Sequence, residues 1–132
     1  MIDEKKMAEQ IREIEELWEK EKPEYINAKI RAKLRYDEIF KNVLLILYKK
    51  FKESEYITSN QFATKFRMEQ KIALSYLETI CYLELLEKMN YERKRDLKLN
   101  ARKNYYLPFM KEGKMALESW VKDILDGKYA RI

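Results

Sequence analysis

The residues best placed to do chemistry in this sequence are cations. Between Lys88 and Lys111 stand eight lysines and arginines, at 88, 93, 94, 95, 98, 102, 103 and 111, against Glu92 and Asp96, a net of +6. The whole chain carries only +5, so the remainder is slightly acidic. Charge of one sign packed into so short a stretch repels itself unless a polyanion neutralises it. Duplex DNA, with its regular row of phosphates, suits this stretch better than a small acidic ligand does. Arg93, Lys94, Arg95, Lys98, Arg102 and Lys103 are therefore the candidate phosphate contacts. Asn100 and Asn104 add turn capacity and hydrogen-bonding groups. The plainer alternative is a solvated edge hairpin whose cations guard it against aggregation.

Catalytic chemistry finds no such foothold. There is no histidine, the commonest general base and metal ligand. Cys81 is the only cysteine, so neither a zinc site nor a Cys-His nucleophile can be assembled, and a buried inert thiol is expected. Two isolated glycines cannot build a phosphate-binding loop. Glu13, Glu15, Glu16 and Glu19 read as a solvated helix face. The expectation is a protein that is not an enzyme, with no metal and no cofactor.

The elements that must position the cations follow from the apolar spacing. Thr58 and Ser59 are helix N-cap types. Phe62, Ala63 and Phe66 follow at helical intervals. After the tight connection "RMEQ", with Met68 set to plug the corner, a second helix turns Ile72, Ala73, Tyr76, Leu77, Ile80 and Leu83 inward. Its outer face offers Gln70, Lys71 and Ser75 to bases, alongside Glu69 and Glu78. Gln can pair with adenine and Ser with any base. Ser59 and Asn60 could bring backbone N–H groups to a phosphate. Beyond this pair the period changes. "LLEKMNYERKRDLKL" and "ARKNYYLPF" read as two strands of a basic hairpin, ending near Pro108, which cannot sit inside a central strand.

This order of signals resembles the winged helix-turn-helix superfamily, especially compact regulators of the MarR and PadR type, over residues 37 to 126. Leu85-Leu86 stands where such proteins open the first wing strand, and Tyr105-Tyr106 where the second closes. Gly113, in "FMKEGKMALESW", stands at the start of the C-terminal helix region. The sequence departs from the pattern at Glu84, where glycine is usual, and in the longer spacing of "YYLPFMKEG". The resemblance implies a mostly α fold with a small β-hairpin, an α+β winged helix-turn-helix carrying additional N- and C-terminal helices. It implies double-stranded DNA as partner and a homodimer as the working form. Some such regulators hold flat ligands near their terminal helices, where Trp18 and Trp120 lie here, but both indoles are expected to fill a dimer or domain core, so a small-molecule effector has no support beyond the resemblance.

The flanks divide by charge. Residues 1–22 hold eight acidic and five basic residues, and Met7, Ile11, Ile14 and Trp18 recur at intervals of 4, 3 and 4. That is a narrow heptad-like seam on a charged helix, which must pack in cis or on a second copy. Pro23 is expected to stop or bend this helix and open the next one. Lys29, Arg31, Lys33 and Arg35 then face one acid, Glu24. The expected organisation is an N-terminal extension over 1–36 (acidic helix 3–22, basic connecting helix 24–35), a winged domain over 37–110 that begins with a helix over 37–53, and a C-terminal helix and tail over 111–132. The C-terminal helix should bury Met115, Leu117, Trp120, Val121, Ile124 and Leu125, with Gly127 as its C′ residue. The dimer seam is assigned to Met7, Ile11, Ile14, Trp18, Trp120 and Ile124.

At 132 residues the chain supports a single core. Its 39% charged, glycine-poor composition resembles that of thermophile proteins. No apolar run is long enough to span a bilayer, so no membrane partner and a cytoplasmic location are expected. The reading favours a small transcriptional regulator that binds duplex DNA with full or partial sequence specificity. The alternatives are a winged-helix protein-interaction module and a non-specific chromatin-like or replication-associated binder.

Overall fold

The computed structural model describes residues 1–130; positions 131 and 132 of the expected tail lie outside the described residues. The chain is mostly helical, with one small antiparallel sheet.

Helix α1 (Glu4–Tyr36) opens on Asp3, whose carboxylate accepts from the backbone N–H groups of Lys5 and Lys6. It continues unbroken through Pro23, which corrects the expectation of two helices, 3–22 and 24–35. Proline removes the N–H that would bond to the carbonyl four residues earlier. Here both Pro23 and Glu19 are exposed, so water can serve the freed carbonyl. The distal part of α1 is anchored by Ile26, Ile30 and Leu34, which are buried in the main core. Every residue from 1 to 21 is exposed, so the first half projects as an arm.

Asp37 separates α1 from α2 (Glu38–Glu53) and caps both. Its N–H donates to the Lys33 carbonyl, and its carboxylate accepts from the Phe40 N–H at 3.0 Å. Helix α2 supplies the middle of the core with Phe40, Val43, Leu44, Leu47 and Phe51. A two-residue strand β1 (Ile57–Thr58) leads into α3 (Ser59–Phe66). Thr58 is the N-cap, in a reciprocal capping box with Gln61. Residues 67–69 turn the chain, with Arg67 in the left-handed region at φ 52° and Met68 packed against the core. Helix α4 (Gln70–Tyr82) buries Ala73, Leu77 and Ile80, but Ile72, expected inward, is exposed.

The end of α4 explains how the chain manages without the expected glycine. Glu84 itself adopts the left-handed conformation, φ 59°. The Leu85 N–H then reaches back to the Ile80 carbonyl at 3.2 Å, which closes the helix as a glycine terminus would. A 2.9 Å ion pair from Lys22 of α1 holds the Glu84 side chain. The Lys22 ammonium is correspondingly pushed above its usual range by its hydrogen bond to Glu84.

Strand β2 (Leu86–Lys88) and strand β3 (Tyr105–Pro108) flank an excursion that includes a short helix α5 (Tyr91–Asp96). The sheet order is β1-β3-β2, with Ile57 opposite Tyr106 and Lys88 also opposite Tyr106. The long two-stranded hairpin read from the sequence is thus corrected. Residues 91–96 are helical because Asn90 caps them, its side chain accepting from the Arg93 N–H at 2.8 Å. Met89, Tyr105 and Leu107, with Tyr56 and Leu99, form a satellite core beneath this segment. Helix α6 (Met110–Leu125) closes the fold. Leu117 and Val121 are buried, whereas Met115 and Leu125, expected inside, are exposed. Gly127 ends the helix at φ 82°, as expected for C′. The tail returns to α2, where the ammonium of the nearly buried Lys41 donates to the Tyr129 carbonyl at 2.8 Å.

Candidate nucleic-acid interface

The basic excursion is not a uniform ribbon of cations. Its charges divide by what holds them. Lys94 is buried: its ammonium donates to the Ala101 carbonyl at 3.4 Å and lies 6.0 Å from the centre of the Tyr105 ring. It props the loop against the satellite core and is not presented to a ligand, contrary to its assignment as a phosphate contact. The helical turn is the reason, because it points one side chain in four back at the body. Arg93 is exposed but reaches Glu55 at 3.4 Å, tying α5 to the connection before β1. Arg95 lies 3.7 Å from neighbouring Asp96.

Three cations remain at the far end. Lys98, Arg102 and Lys103 are exposed, and none forms an ion pair among the described residues. The turn that carries them is well defined. Lys98 sits in the left-handed region at φ 55°. The Asn100 side chain accepts from the Arg102 N–H at 2.9 Å, and its carbonyl accepts from the Lys103 N–H at 3.1 Å. The Tyr105 hydroxyl accepts from the Asn100 N–H at 3.3 Å. Tyr105 also meets Tyr56 edge-on at 5.1 Å. The tip is therefore a braced turn, and its cations are displayed at small conformational cost.

The second candidate surface is the exposed face of α4. Gln70, Lys71 and Ser75 are all exposed along it. Gln70 is not alone: its amide N–H donates to the Asn60 side-chain oxygen, so the start of α4 and the start of α3 share one polar cluster. Ser59 beside it is half-buried in the first turn of α3. Lys71, Lys65 and Arg67 are exposed around this corner and lack ion-pair partners among the described residues. Sequence reasoning misses Lys65 and Arg67, because no run of charge marks them.

The acidic residues on α4 carry less weight than the sequence suggests. Glu78 is taken up by a 2.6 Å ion pair with Lys88 and also accepts from the Tyr106 hydroxyl at 3.4 Å. Burial pushes the Tyr106 phenol far above its ordinary range, with Glu78 adding to the effect. Burial likewise raises the Cys81 thiol to about 11, so it is a protonated, unreactive group at neutral pH. Glu69, the residue just before α4, is exposed and forms no ion pair among the described residues.

The residues assigned to a dimer seam fall into two groups. Met7, Ile11, Ile14 and Trp18 are 43–65% exposed along the projecting arm, with Leu17 beside them. Trp18 meets Tyr25 edge-on, at 5.2 Å. Trp120 and Ile124 instead pack, half-buried, against the chain's own core. Trp120 borders a small cleft of about 190 Å³ with Ile26, Ile30 and Gly113. No group of acids, histidines and cysteines suited to a metal occurs among the described residues. No described helix is long and apolar enough to cross a membrane.

No family model matches the chain, nor does any curated protein or solved structure.

Proposed function

We propose that this chain is a winged helix-turn-helix protein that binds double-stranded DNA, as a dimeric small transcriptional regulator. The order α2-β1-α3-α4-β2-α5-β3-α6, with β3 between β1 and β2, supports the winged-helix reading. The observation that carries the DNA reading is the braced tip, which displays Lys98, Arg102 and Lys103 without acidic partners among the described residues. Lys71, Lys65 and Arg67 extend the cationic surface to the α3–α4 corner. In this reading the tip and corner hold phosphates, while Gln70 and Ser75 meet base edges. Asn60 orients the Gln70 amide, and Arg93 and Lys94 position the tip without touching the duplex.

A salt titration tests this. A dimer neutralising six to ten phosphates should lose roughly 10³–10⁵ in affinity for duplex DNA between 50 and 200 mM salt. Absence of duplex binding at low salt would overturn the reading. The runner-up is a protein-interaction module. A shallow groove of about 630 Å³ favours it, lined by Ile39, Leu45, Phe66, Met68, Ile72 and Tyr76 beside the α3–α4 turn. Its apolar floor is bordered by Lys65 and Arg67 of the same corner, so failure of the titration would bring it forward.

A further inference from the structure

The continuity of α1 has a consequence for how two copies meet. The helix has two halves of opposite sign: residues 1–22 net −3, and residues 24–36 net +3. Had Pro23 broken the chain, these halves could have folded against each other. Because α1 is one continuous helix, about 50 Å of chain at 1.5 Å per residue, they follow one another along it and cannot fold back to face one another within one chain. The acidic arm, with Lys22 half-buried against Glu84 at its end, is exposed over residues 1–21. Its apolar stripe, Met7, Ile11, Ile14 and Trp18, continues into exposed Tyr25 beside the body. At 3.6 residues per turn this stripe lies roughly 120° around the helix from Ile26, Ile30 and Leu34, which are committed to the core. It is therefore free to take a partner along most of the helix.

We infer that the partner is the α1 helix of a second copy, lying antiparallel. This rests on the dimer reading above and adds its direction. A two-fold pair is isologous, so each surface must complement itself. In a parallel pair the acidic halves face each other, as do the basic halves. In an antiparallel pair each acidic arm lies along the other copy's basic half, twice over. Like charges across such a seam disfavour pairing, and opposite charges set its orientation. Lys29 and Arg35 are exposed and free of ion pairs among the described residues, so they are available to that arm. The apolar stripes cover each other near the crossing, around Trp18, which is exposed on the arm.

Spin labels on the full-length chain decide the direction. The native Cys81 is replaced by Ala, and single labels are placed through Glu4→Cys or Glu19→Cys, both exposed sites. Antiparallel pairing puts the two Glu4 labels about 40 Å apart, from the 1.5 Å rise on either side of the crossing, and the Glu19 labels within about 20 Å. A parallel pair brings the Glu4 labels within about 20 Å as well, and that result would overturn the inference while leaving the dimer intact. Sedimentation of both labelled variants as monomers at tens of micromolar, with no dipolar coupling, would overturn the dimer itself.

Discussion

Glu84 stores a small conformational cost that the rest of the chain offsets. A non-glycine residue in the left-handed region costs roughly 1–2 kcal/mol. Glu84→Gly removes that cost but also the ion pair to Lys22, which is solvent-exposed and therefore weak. Chemical denaturation should find Glu84→Gly more stable than the parent by up to about 1 kcal/mol, and Glu84→Ala less stable, because alanine keeps the strain and loses the pair. Gly113 has the opposite logic. It lies within α6, where alanine would ordinarily stabilise, but a Cβ there would stand 2.9 Å from the Phe109 Cβ and 3.1 Å from the Leu85 carbonyl oxygen. Gly113→Ala should cost about 1–3 kcal/mol, as overpacking does. An unchanged or raised stability would show that α6 does not press so closely on the corner after α4. The raised values of Tyr106 and Cys81 predict a pH effect of definite sign. Both groups stay protonated in the fold at pH values where the unfolded chain has begun to lose those protons. Their contribution is intact below about pH 9 and is lost as pH rises further. Urea titrations at pH 7.5 and 10.5 should show lower stability at the higher pH, and Tyr106→Phe with Cys81→Ser should narrow the gap.

At the scale of elements, the excursion between β2 and β3 separates supporting cations from displayed ones. Lys94→Met keeps the aliphatic stem and removes the donor to Ala101. It should loosen the tip, seen as faster amide exchange at residues 98–103, while leaving the salt dependence of DNA binding unchanged. Replacing Lys98, Arg102 and Lys103 together by Ala should reduce the slope of log affinity against log salt by about 0.9 for each phosphate no longer neutralised. If Lys94→Met alone flattens the slope, the buried lysine does reach DNA and the division is wrong. How far these elements were legible in the sequence depended on how much pattern each one carries. The α3–α4 pair declared itself through Thr58, Phe62, Ala73, Leu77 and Ile80, because caps and helical spacing are local signals. Strand β1 is two residues long, too short for any period to register. Helix α5 has no apolar stripe to reveal it. Its only local mark is Asn90, and a charged run is compatible with strand or helix until the satellite core fixes it. Pro23 misled because its cost of about 3 kcal/mol in a helix interior is a strong prior. Burial of Ile26, Ile30 and Leu34 against core residues far along the chain, which no local window contains, outweighs it. Of the candidate site, the cluster of cations was legible. Which of them are free was not, because pairs such as Arg93 with Glu55 join residues far apart in the chain.

At the scale of the whole molecule, two surfaces stand apart, a projecting arm and a cationic tip. Deleting residues 1–22 removes the exposed seam and the Lys22–Glu84 link while sparing the buried core. The truncated chain should remain folded by circular dichroism but sediment as a monomer, and its DNA affinity should fall because two linked sites become one. A truncated chain that still dimerises would place the interface elsewhere, for instance at exposed Met115 and Leu125 of α6. The central claim is that the braced tip holds phosphates of a duplex. The most direct measurement is the affinity of full-length protein for a labelled duplex, across a salt series, for the parent and for the variant with Lys98, Arg102 and Lys103 all replaced by Ala. The parent should bind with a steep salt dependence, and the variant more weakly with a slope shallower by about 2.7 for each tip engaged, from 0.9 per neutralised phosphate. Equal affinity and equal slope for the two proteins would contradict the claim.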